Sequence, residues 1–338
     1  MKKLRAPRLI RVALVSAAVC LFAQETTIRV DVRLVRIIAT VKDAAGQLTG
    51  ALDKSNFTVT DNGARQEIAI FERQTETPLS VAILIDNSGS TAKELKYEVE
   101  SVNRFTRALM REGNPRDSAA LYSFNWEVVM QQGFTRNPAS IEHALRLLRG
   151  EAGTSLYDAV MLASRDIQDR EGRKVLVVVT DGGDTVSRAS FDRAVEAAQL
   201  ADSVIYPILV VPITNDAGRN VGGENALTTF AERTGGRVFA PTVGAAMDQA
   251  FDQILRDLRT QYLIGFYPHD VPLTKDRFHR LRVAVDRSGY GVSARSGYYG
   301  EALENSPAPA SAPDSRTVDE TVRPKKPVPP AAKKGRGF

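Results

Sequence analysis

The stretch VAILIDNSGS, residues 81–90, decides the fold of this 338-residue chain. Its first five residues are all apolar, a run typical of a strand that is buried on both faces inside a parallel sheet. Asp86 ends the run, and after a short turn Ser90 is a good N-cap for a helix predicted at 91–111. Asp86, Ser88 and Ser90 therefore place one carboxylate and two hydroxyls at the carboxyl end of a central strand, where open α/β sheets bind ligands.

Strands and helices alternate in the chain that follows. Further strands are predicted at 118–124, 126–131, 174–180, 203–209 and 237–239, and further helices at 139–148, 156–169, 191–201, 225–234 and 244–259. This alternation predicts an α/β domain at 78–260, a doubly wound and mostly parallel sheet with helices on both faces. A single residue separates 118–124 from 126–131, so we expect one antiparallel edge pair. The glycine-rich segment 215–224 is interpreted as a loop.

Both flanks of this domain have the alternation of β strands. Residues 26–77 form an N-terminal β unit, in which Asn62-Gly63 predicts a hairpin turn between the runs at 57–59 and 68–70. A phase slip near Leu34 indicates a bulge in its first strand. Residues 261–300 supply C-terminal strands, at 262–266, 281–285 and 292–299. We expect the two flanks to pack together as a β-sandwich-like unit, although two separate β units would produce the same pattern.

The two ends of the chain are of different composition. Residues 1–24 combine five basic residues with an apolar run at 12–22, as in a secretory signal peptide; an uncleaved interfacial anchor is the alternative. We expect a secreted, periplasmic or cell-surface protein without a transmembrane span after this segment. The one cysteine, Cys20, lies inside it, so no disulfide is expected in the mature chain. Residues 301–338 are rich in Pro, Ala and Lys and are predicted to be disordered.

The charge of the chain gives no sign of a nucleic-acid partner. The formal net charge is +5, and the five basic residues of the segment 1–24 account for all of it. The remainder has 40 basic and 40 acidic residues, without the basic excess of a nucleic-acid-binding domain. With 43% hydrophobic and 25% charged residues, the composition is that of a globular protein.

Two more polar residues, Thr154 and Asp181, are predicted to lie near the motif at 86–90. Thr154 follows Gly153 at the start of a predicted helix, and Asp181 follows the buried strand at 174–180. If these strands are neighbours, one crevice holds five oxygen ligands: Asp86, Ser88, Ser90, Thr154 and Asp181. Such a set suits Mg²⁺ or Mn²⁺, and Ca²⁺ less well because it has only two carboxylates. Three neutral hydroxyls leave the ion electron-poor, with a position that an acidic side chain of a partner protein would fill.

These motifs resemble a known metal site. DNSGS at 86–90, the Gly-Thr pair at 153–154 and TDGGD at 180–184 are similar, in order and placement, to the metal-ion-dependent adhesion site of von Willebrand factor A-type (VWA) domains. The resemblance covers about 78–259, and it implies that Ser88, Ser90 and Thr154 contact the metal directly or switch with state. Asp86 and Asp181 would bind mostly through water. Thr91 stands where the family often has Met.

The flanking strands resemble a narrower group. The stretch FTVTDNGARQEI and the segment from QYLIGFYP to SGYYG are similar to secreted bacterial proteins called VWFA-related, known mainly from Acidobacteria. The resemblance implies an exported, adhesion-type module that binds a protein partner through a metal and is not an enzyme.

Several alternatives remain at this point. The five site residues taken singly could be ordinary helix caps and loop acids, and the domain could serve as a metal-independent assembly subunit. A phosphoryl-transfer enzyme could use an aspartate after a buried strand, but the chain has no Walker-type loop, and its three histidines lie outside the predicted site loops. Asp184 is interpreted as a turn acid rather than a support for the metal site. Trp126, with Tyr122 and Phe124, could form a sugar-binding cluster, although core packing is the prediction.

Overall fold

The computed structural model describes residues 34–73, 77–89, 95–210, 221–242, 244–272 and 277–300. Several predicted features fall outside these ranges or at their limit: the signal peptide at 1–24, the bulge near Leu34, Ser90 and the tail at 301–338. None of the helices within them has the length and apolar character of a membrane span.

The strands and helices are numbered in chain order. The strands are β1 (Val35–Lys42), β2 (Phe57–Asp61), β3 (Ala64–Gln66), β4 (Ile68–Arg73), β5 (Leu79–Asp86), β6 (Ser118–Phe124), β7 (Val128–Thr135), β8 (Arg173–Thr180), β9 (Ser203–Leu209), β10 (Tyr262–Phe266), β11 (Phe278–Val285), β12 (Gly291–Ala294) and β13 (Gly297–Tyr299). The helices are α1 (Leu95–Glu112), α2 (Pro138–Leu147), α3 (Leu156–Ile167), α4 (Phe191–Leu200), α5 (Val221–Thr234) and α6 (Ala245–Thr260).

The central sheet has the strand order β7-β6-β5-β8-β9, with β5 in the middle. All eight residues of β5 are buried, as its continuous apolar run predicts. It pairs in parallel with β6 and β8, β8 pairs in parallel with β9, and only β7 is antiparallel, at the edge. Since parallel strands end on the same side, the carboxyl ends of β5 and β8 lie next to each other.

Helices cover both faces of this sheet. Ile83 and Ile85 pack into one hydrophobic cluster with residues of α1, α2 and α6, whereas Ala82 and Leu84 pack into another with residues of α3, α4 and α5. Successive side chains of a strand point to opposite faces, so one apolar run serves two cores. The predicted doubly wound α/β fold is confirmed.

The flanking strands form two more sheets, of order β12-β1-β10-β4 and β13-β11-β2-β3. Each sheet combines strands from before and after the α/β domain, because β1 pairs with β10 and β12 while β2 pairs with β11. Their shared core includes the buried side chains of Ile37, Phe57, Val59, Tyr262 and Phe266. The β-sandwich-like unit built from N- and C-terminal strands is therefore confirmed as part of the fold.

Some local predictions were wrong. The Asn62-Gly63 turn joins β2 to the short β3, and the residues at 68–70 belong to β4 in the other sheet, where pairing with β10 brings Ile68 into the sandwich core. The segment 292–299 is two strands in different sheets, because β12 pairs with β1 and β13 pairs with β11. The strand at 237–239 is only a bridge between Phe239 and Ile208, and α5 begins within the glycine-rich segment predicted as a loop.

Gln261 connects the α/β domain to the sandwich through buried hydrogen bonds. Its Nε2 donates to Thr40 Oγ1 at 3.1 Å and to Tyr206 OH at 2.9 Å, and its Oε1 accepts from Arg173 Nη1 at 3.1 Å.

We expect Gln261→Leu to lower the free energy of unfolding by about 3 kcal/mol, because it leaves buried polar partners unpaired. Urea unfolding measures this loss. Gln47→Leu, at an exposed position, is the control; a Gln261→Leu loss no larger than that of the control would contradict this role.

Candidate metal centre

Asp86 lies at the centre of the candidate site, at the end of β5. Its side chain is fully buried. Oδ1 accepts a hydrogen bond from the backbone N–H of Ser88 at 2.9 Å, and Oδ2 accepts one from Thr180 Oγ1 at 2.6 Å. The Ser88 hydroxyl also bonds to this carboxylate. Asp86 is thus held from both sides, by its own loop and by the end of β8.

Hydrogen bonds connect the loop before α3 to the loop after β5. Ser88 and Glu151 form a parallel bridge, the Glu151 N–H donates to Asn87 O at 3.0 Å, and Asn87 Nδ2 donates to Arg149 O at 2.6 Å. Gly153 has a φ of +86°, and a Cβ there would meet the backbone of Trp126 at 3.2 Å. This position therefore favours glycine for both conformation and space.

Hydrogen bonds also connect the loop after β8 to the loop before α3. Thr154 N–H donates to Thr185 Oγ1 at 2.9 Å, and the N–H groups of Thr185 and Val186 donate to Thr154 O at 2.8 and 3.2 Å. Asp184 Oδ1 accepts from Ser187 Oγ in its own turn and from the N–H of Tyr157 in α3. Hydrogen bonds therefore connect all three loops that carry the predicted motifs.

The structure brings four of the five predicted site residues into these connected loops. Asp86, Ser88 and Thr154 are buried, and Asp181 is half-buried. Asp86 and Asp181 are close enough for their charges to interact. Ser90 lies outside the described residues. That these residues bind a metal ion stays a prediction.

The environment of Asp86 disfavours its charged form. Burial raises its pKa from the ordinary 3.8 to about 6; hydrogen bonds from Thr180 and Ser88 lower the pKa, and the negative charge of Asp181 raises it further. A cation in contact with this site would offset both the burial and the repulsion between the two carboxylates.

The chemistry of the donor set fits a hard divalent cation. It consists of carboxylate and hydroxyl oxygens, without nitrogen or sulfur. Within the described ranges, no group of three or more His, Cys, Asp or Glu side chains is suited to hold a metal ion, so hydroxyls would have to supply part of the coordination here. Two further buried oxygens in these loops, Asn87 Oδ1 and Ser155 Oγ, have no hydrogen-bond partner in the structure. Such oxygens are available to bound water.

Sequence reasoning missed two residues that hold the site loops together, and its prediction for Trp126 was wrong. Thr180 positions the Asp86 carboxylate, and Thr185 connects its loop to Thr154. A polar residue at the end of the buried run of β8 was the available signal for Thr180. Trp126 is not a core residue, since it is 58% exposed in the turn between β6 and β7, where its Nε1 donates to Glu151 Oε2 at 2.8 Å.

The core prediction holds for the two aromatic residues before that turn. Tyr122 and Phe124 are fully buried within β6. All seven residues of β6 are buried, but the strand ends at Phe124, so this burial does not extend to Trp126. The tryptophan instead lies beside Gly153, next to the candidate site.

The fold and these loops define a doubly wound α/β domain with carboxylate and hydroxyl oxygens at the carboxyl ends of adjacent parallel strands. Residues 81–183 match the family described as von Willebrand factor type A domain. This match runs from within β5 to the loop after β8, and it includes the first two motifs and the first four residues of the third. Comparison with curated protein sequences found no match.

Several solved structures are similar in fold. The vWF domain of the type V pili tip protein Mfa5 from Porphyromonas gingivalis is 16% identical with a TM-score of 0.46, over 54% of this chain and 95% of that one. The conserved hypothetical protein BatB from Bacteroides thetaiotaomicron is 19% identical with a TM-score of 0.42, over 53% and 98%. The PilB minor pilin from Streptococcus sanguinis is 14% identical with a TM-score of 0.43, over 56% and 63%. Likeness at this level concerns the fold alone.

Proposed function

We propose that the chain is an exported, non-catalytic module that binds a protein partner through Mg²⁺. One observation carries the proposal: the hydrogen bonds that connect the loops after β5, before α3 and after β8 bring two carboxylates and two hydroxyls to one end of the sheet. The match of residues 81–183 to the VWA domain family supports the same assignment. Export rests on the signal-peptide pattern at 1–24 and on the resemblance of the flanks to secreted bacterial VWFA-related proteins.

The proposed ligands are Asp86, Ser88, Ser90, Thr154 and Asp181. The hydroxyls of Ser88, Ser90 and Thr154 would bind the ion directly, and the two aspartates would act mostly through water. A bound Mg²⁺ supplies a positive centre with an open position for an acidic side chain of the partner. Asp86 is held by Thr180 and Ser88, so it would stay in place whether or not a partner is bound.

Three exposed apolar side chains lie on or next to the loops of the candidate site. Trp126 contacts the loop before α3 through Glu151, the backbone N–H of Val186 donates to Thr154 O, and Val221 begins the helix that packs on the loop after β8. All three side chains are exposed. Aromatic residues at such positions often contribute most of the binding energy of an interface. The partner would therefore present an acidic residue beside apolar ones.

The proposal is tested by capturing the partner. The purified chain is immobilised and incubated with extract from its own cell envelope, in Mg²⁺ or in EDTA, with an Asp86→Asn variant alongside. We expect a protein that is retained by the wild type in Mg²⁺ and released by EDTA, and that the variant does not retain. Equal retention in EDTA would instead support a metal-independent assembly subunit. Turnover of general phosphatase substrates would support the phosphoryl-transfer alternative.

The contribution of Trp126 can be measured with that partner. Trp126→Ala is expected to weaken binding by about 2 kcal/mol, roughly 30-fold, if the side chain is a hot spot of the interface. The Mg²⁺-induced rise in melting temperature should not change, because the indole is not among the proposed ligands. Tyr267→Ala removes another half-exposed aromatic side chain, in the sandwich unit, and serves as control. Equal effects of the two variants would contradict a specific role for Trp126.

A further inference from the structure

A cavity of about 370 Å³ lies at the amino ends of β8 and β9. Arg173 and Lys174 of β8 and Ser203 and Val204 of β9 line one side of it. The candidate metal centre lies at the opposite end of β8, about 23 Å away at the usual rise per residue. The cavity is therefore separate from the proposed Mg²⁺ site.

The opposite wall of the cavity is a face of the sheet β12-β1-β10-β4. Ile38 of β1, Ile70 of β4 and Leu263 of β10 contribute apolar side chains to it. Their neighbours Ile37 and Ile264 point to the other face and are buried in the sandwich core. Because side chains alternate along a strand, this wall is the second face of the sheet and does not belong to the sandwich core.

Positive charges exceed negative charges around the cavity. The charged residues that line it are Arg36, Arg173, Lys174, Arg295, Glu72 and Asp202. Of the two acidic residues, Asp202 already pairs with Arg295 through an Nη1–Oδ1 contact of 2.5 Å. An excess of two positive charges in a partly enclosed space favours an anionic ligand.

Two of the arginines have buried donors without an acceptor. Arg173 is 7% exposed, and its Nε finds no hydrogen-bond partner in the structure; the same is true of Arg295 Nε. Burial also lowers the pKa of Arg173 from its ordinary 12.5 to about 10, against smaller opposing effects of Tyr206 and Asp117. Arg173 is still charged at neutral pH. Arg173 Nη1 already donates to Leu258 O and Gln261 Oε1, whereas the two Nε donors are buried and unpaired. Buried N–H groups are almost always paired, so a small shift of these side chains toward a bound acceptor would be favourable.

We propose that this cavity binds a small organic anion, with its acidic group on Arg173 and Arg295 and its apolar part on Ile38, Ile70 and Leu263. Guanidinium groups match a carboxylate with paired hydrogen bonds, and they favour it over a neutral amide of the same shape. A cavity of this volume is within the range of small-molecule sites. Because the cavity is far from Asp86, binding should not require Mg²⁺.

Isothermal titration of the full chain in EDTA tests the proposal with three probes. These are 4-phenylbutyrate, its neutral analogue 4-phenylbutyramide, and inorganic phosphate. We expect 4-phenylbutyrate to bind at least about tenfold more tightly than the amide, which lacks the charge, and than phosphate, which has no apolar part. Binding should be unchanged in Asp86→Asn, which separates this proposal from the proposed metal site.

Charge reversal locates the binding. Arg36→Glu places a negative charge at the cavity without disturbing a buried side chain, and it should weaken 4-phenylbutyrate binding at least about fivefold. Arg65→Glu makes the same change at an exposed position on β3, in the other sheet, and should have no effect. The proposal is overturned if 4-phenylbutyrate does not bind up to about 10 mM, if the amide or phosphate binds equally well, or if the two variants behave alike.

Discussion

Replacing Asp86 with asparagine is expected to abolish the stabilisation that Mg²⁺ gives this protein, and at the same time to stabilise the metal-free form. The first effect follows from the loss of a carboxylate from the proposed ligand set. For a metal that binds only the folded state, stabilisation is about 2.7 kcal/mol at a hundred times the dissociation constant. Differential scanning fluorimetry with and without Mg²⁺ measures it directly.

The second effect follows from the pKa of Asp86. In the metal-free protein the pKa is raised from 3.8 to about 6, so the folded state binds a proton more tightly than the unfolded state. The resulting stability is present in full below pH 4 and is lost as the pH rises through 6, about 3 kcal/mol in total. Asparagine carries no charge and can still accept from Ser88 N–H. In EDTA at neutral pH, Asp86→Asn should therefore unfold at a higher urea concentration than the wild type, and its stability should lack this loss between pH 4 and pH 6.

Asp117 provides a matched control. It is also a buried aspartate whose pKa is raised by burial, and its Oδ1 accepts from the N–H of Leu79 at 2.8 Å. It precedes β6, at the amino end of the sheet and away from the three loops. Asp117→Asn should keep the full Mg²⁺ shift. If Asp86→Asn keeps it too, or if the wild type shows none, the metal site is wrongly assigned.

Gly223→Ala should also have a large effect, because α5 begins in direct backbone contact with the loop after β8. A Cβ at Gly223 would lie 1.6 Å from Gly182 O and 2.2 Å from its carbonyl carbon. Backbone atoms cannot rotate away as a side chain could, so the helix and the loop would have to separate. We expect a loss of about 2–4 kcal/mol in the free energy of unfolding. The Mg²⁺ shift should fall as well, since Asp181 is adjacent to Gly182.

The neighbouring Gly222 provides a control for the contact between Gly223 and Gly182. Gly222 is exposed in the same turn of α5. Gly222→Ala should be neutral or stabilising by up to about 1 kcal/mol, because alanine is the better helix former. Urea unfolding of both variants, with and without Mg²⁺, separates a steric effect from a general effect of losing glycine. A Gly223→Ala variant as stable as Gly222→Ala would show that the loop after β8 does not depend on this contact.

Much of the fold could be read from local patterns. The apolar run at 81–85 and the similar run at 175–179 each predict a strand buried on both faces, and the structure has β5 and β8 there, side by side. The turn at Asn62-Gly63 was also visible. These signals depend on the conformation and burial of a few consecutive residues, which the local order of apolar, polar and turn-forming side chains controls directly.

The placement of side chains outside regular elements was less predictable. Trp126 continues the spacing of Tyr122 and Phe124, but β6 ends before it and the indole is exposed. The residues at 68–70 have the alternation of a hairpin partner, but they pair with β10, nearly 200 residues later in the chain. Alternation indicates a strand and does not identify its partner, because every strand presents the same backbone donors and acceptors.

Some features of the candidate site could likewise be predicted from the sequence, whereas others could not. The order of residues was sufficient to put Asp86 and Asp181 at the ends of buried strands, because an acid that directly follows such a run must lie where the strand leaves the core. Only the tertiary structure decided that Thr180 holds the Asp86 carboxylate, that Thr185 connects two loops, and that two arginines with buried, unpaired Nε donors line a cavity at the other end of the sheet. Those contacts join residues 30 to over 100 positions apart, and their geometry is determined by the packing of the whole domain rather than by neighbours in the chain.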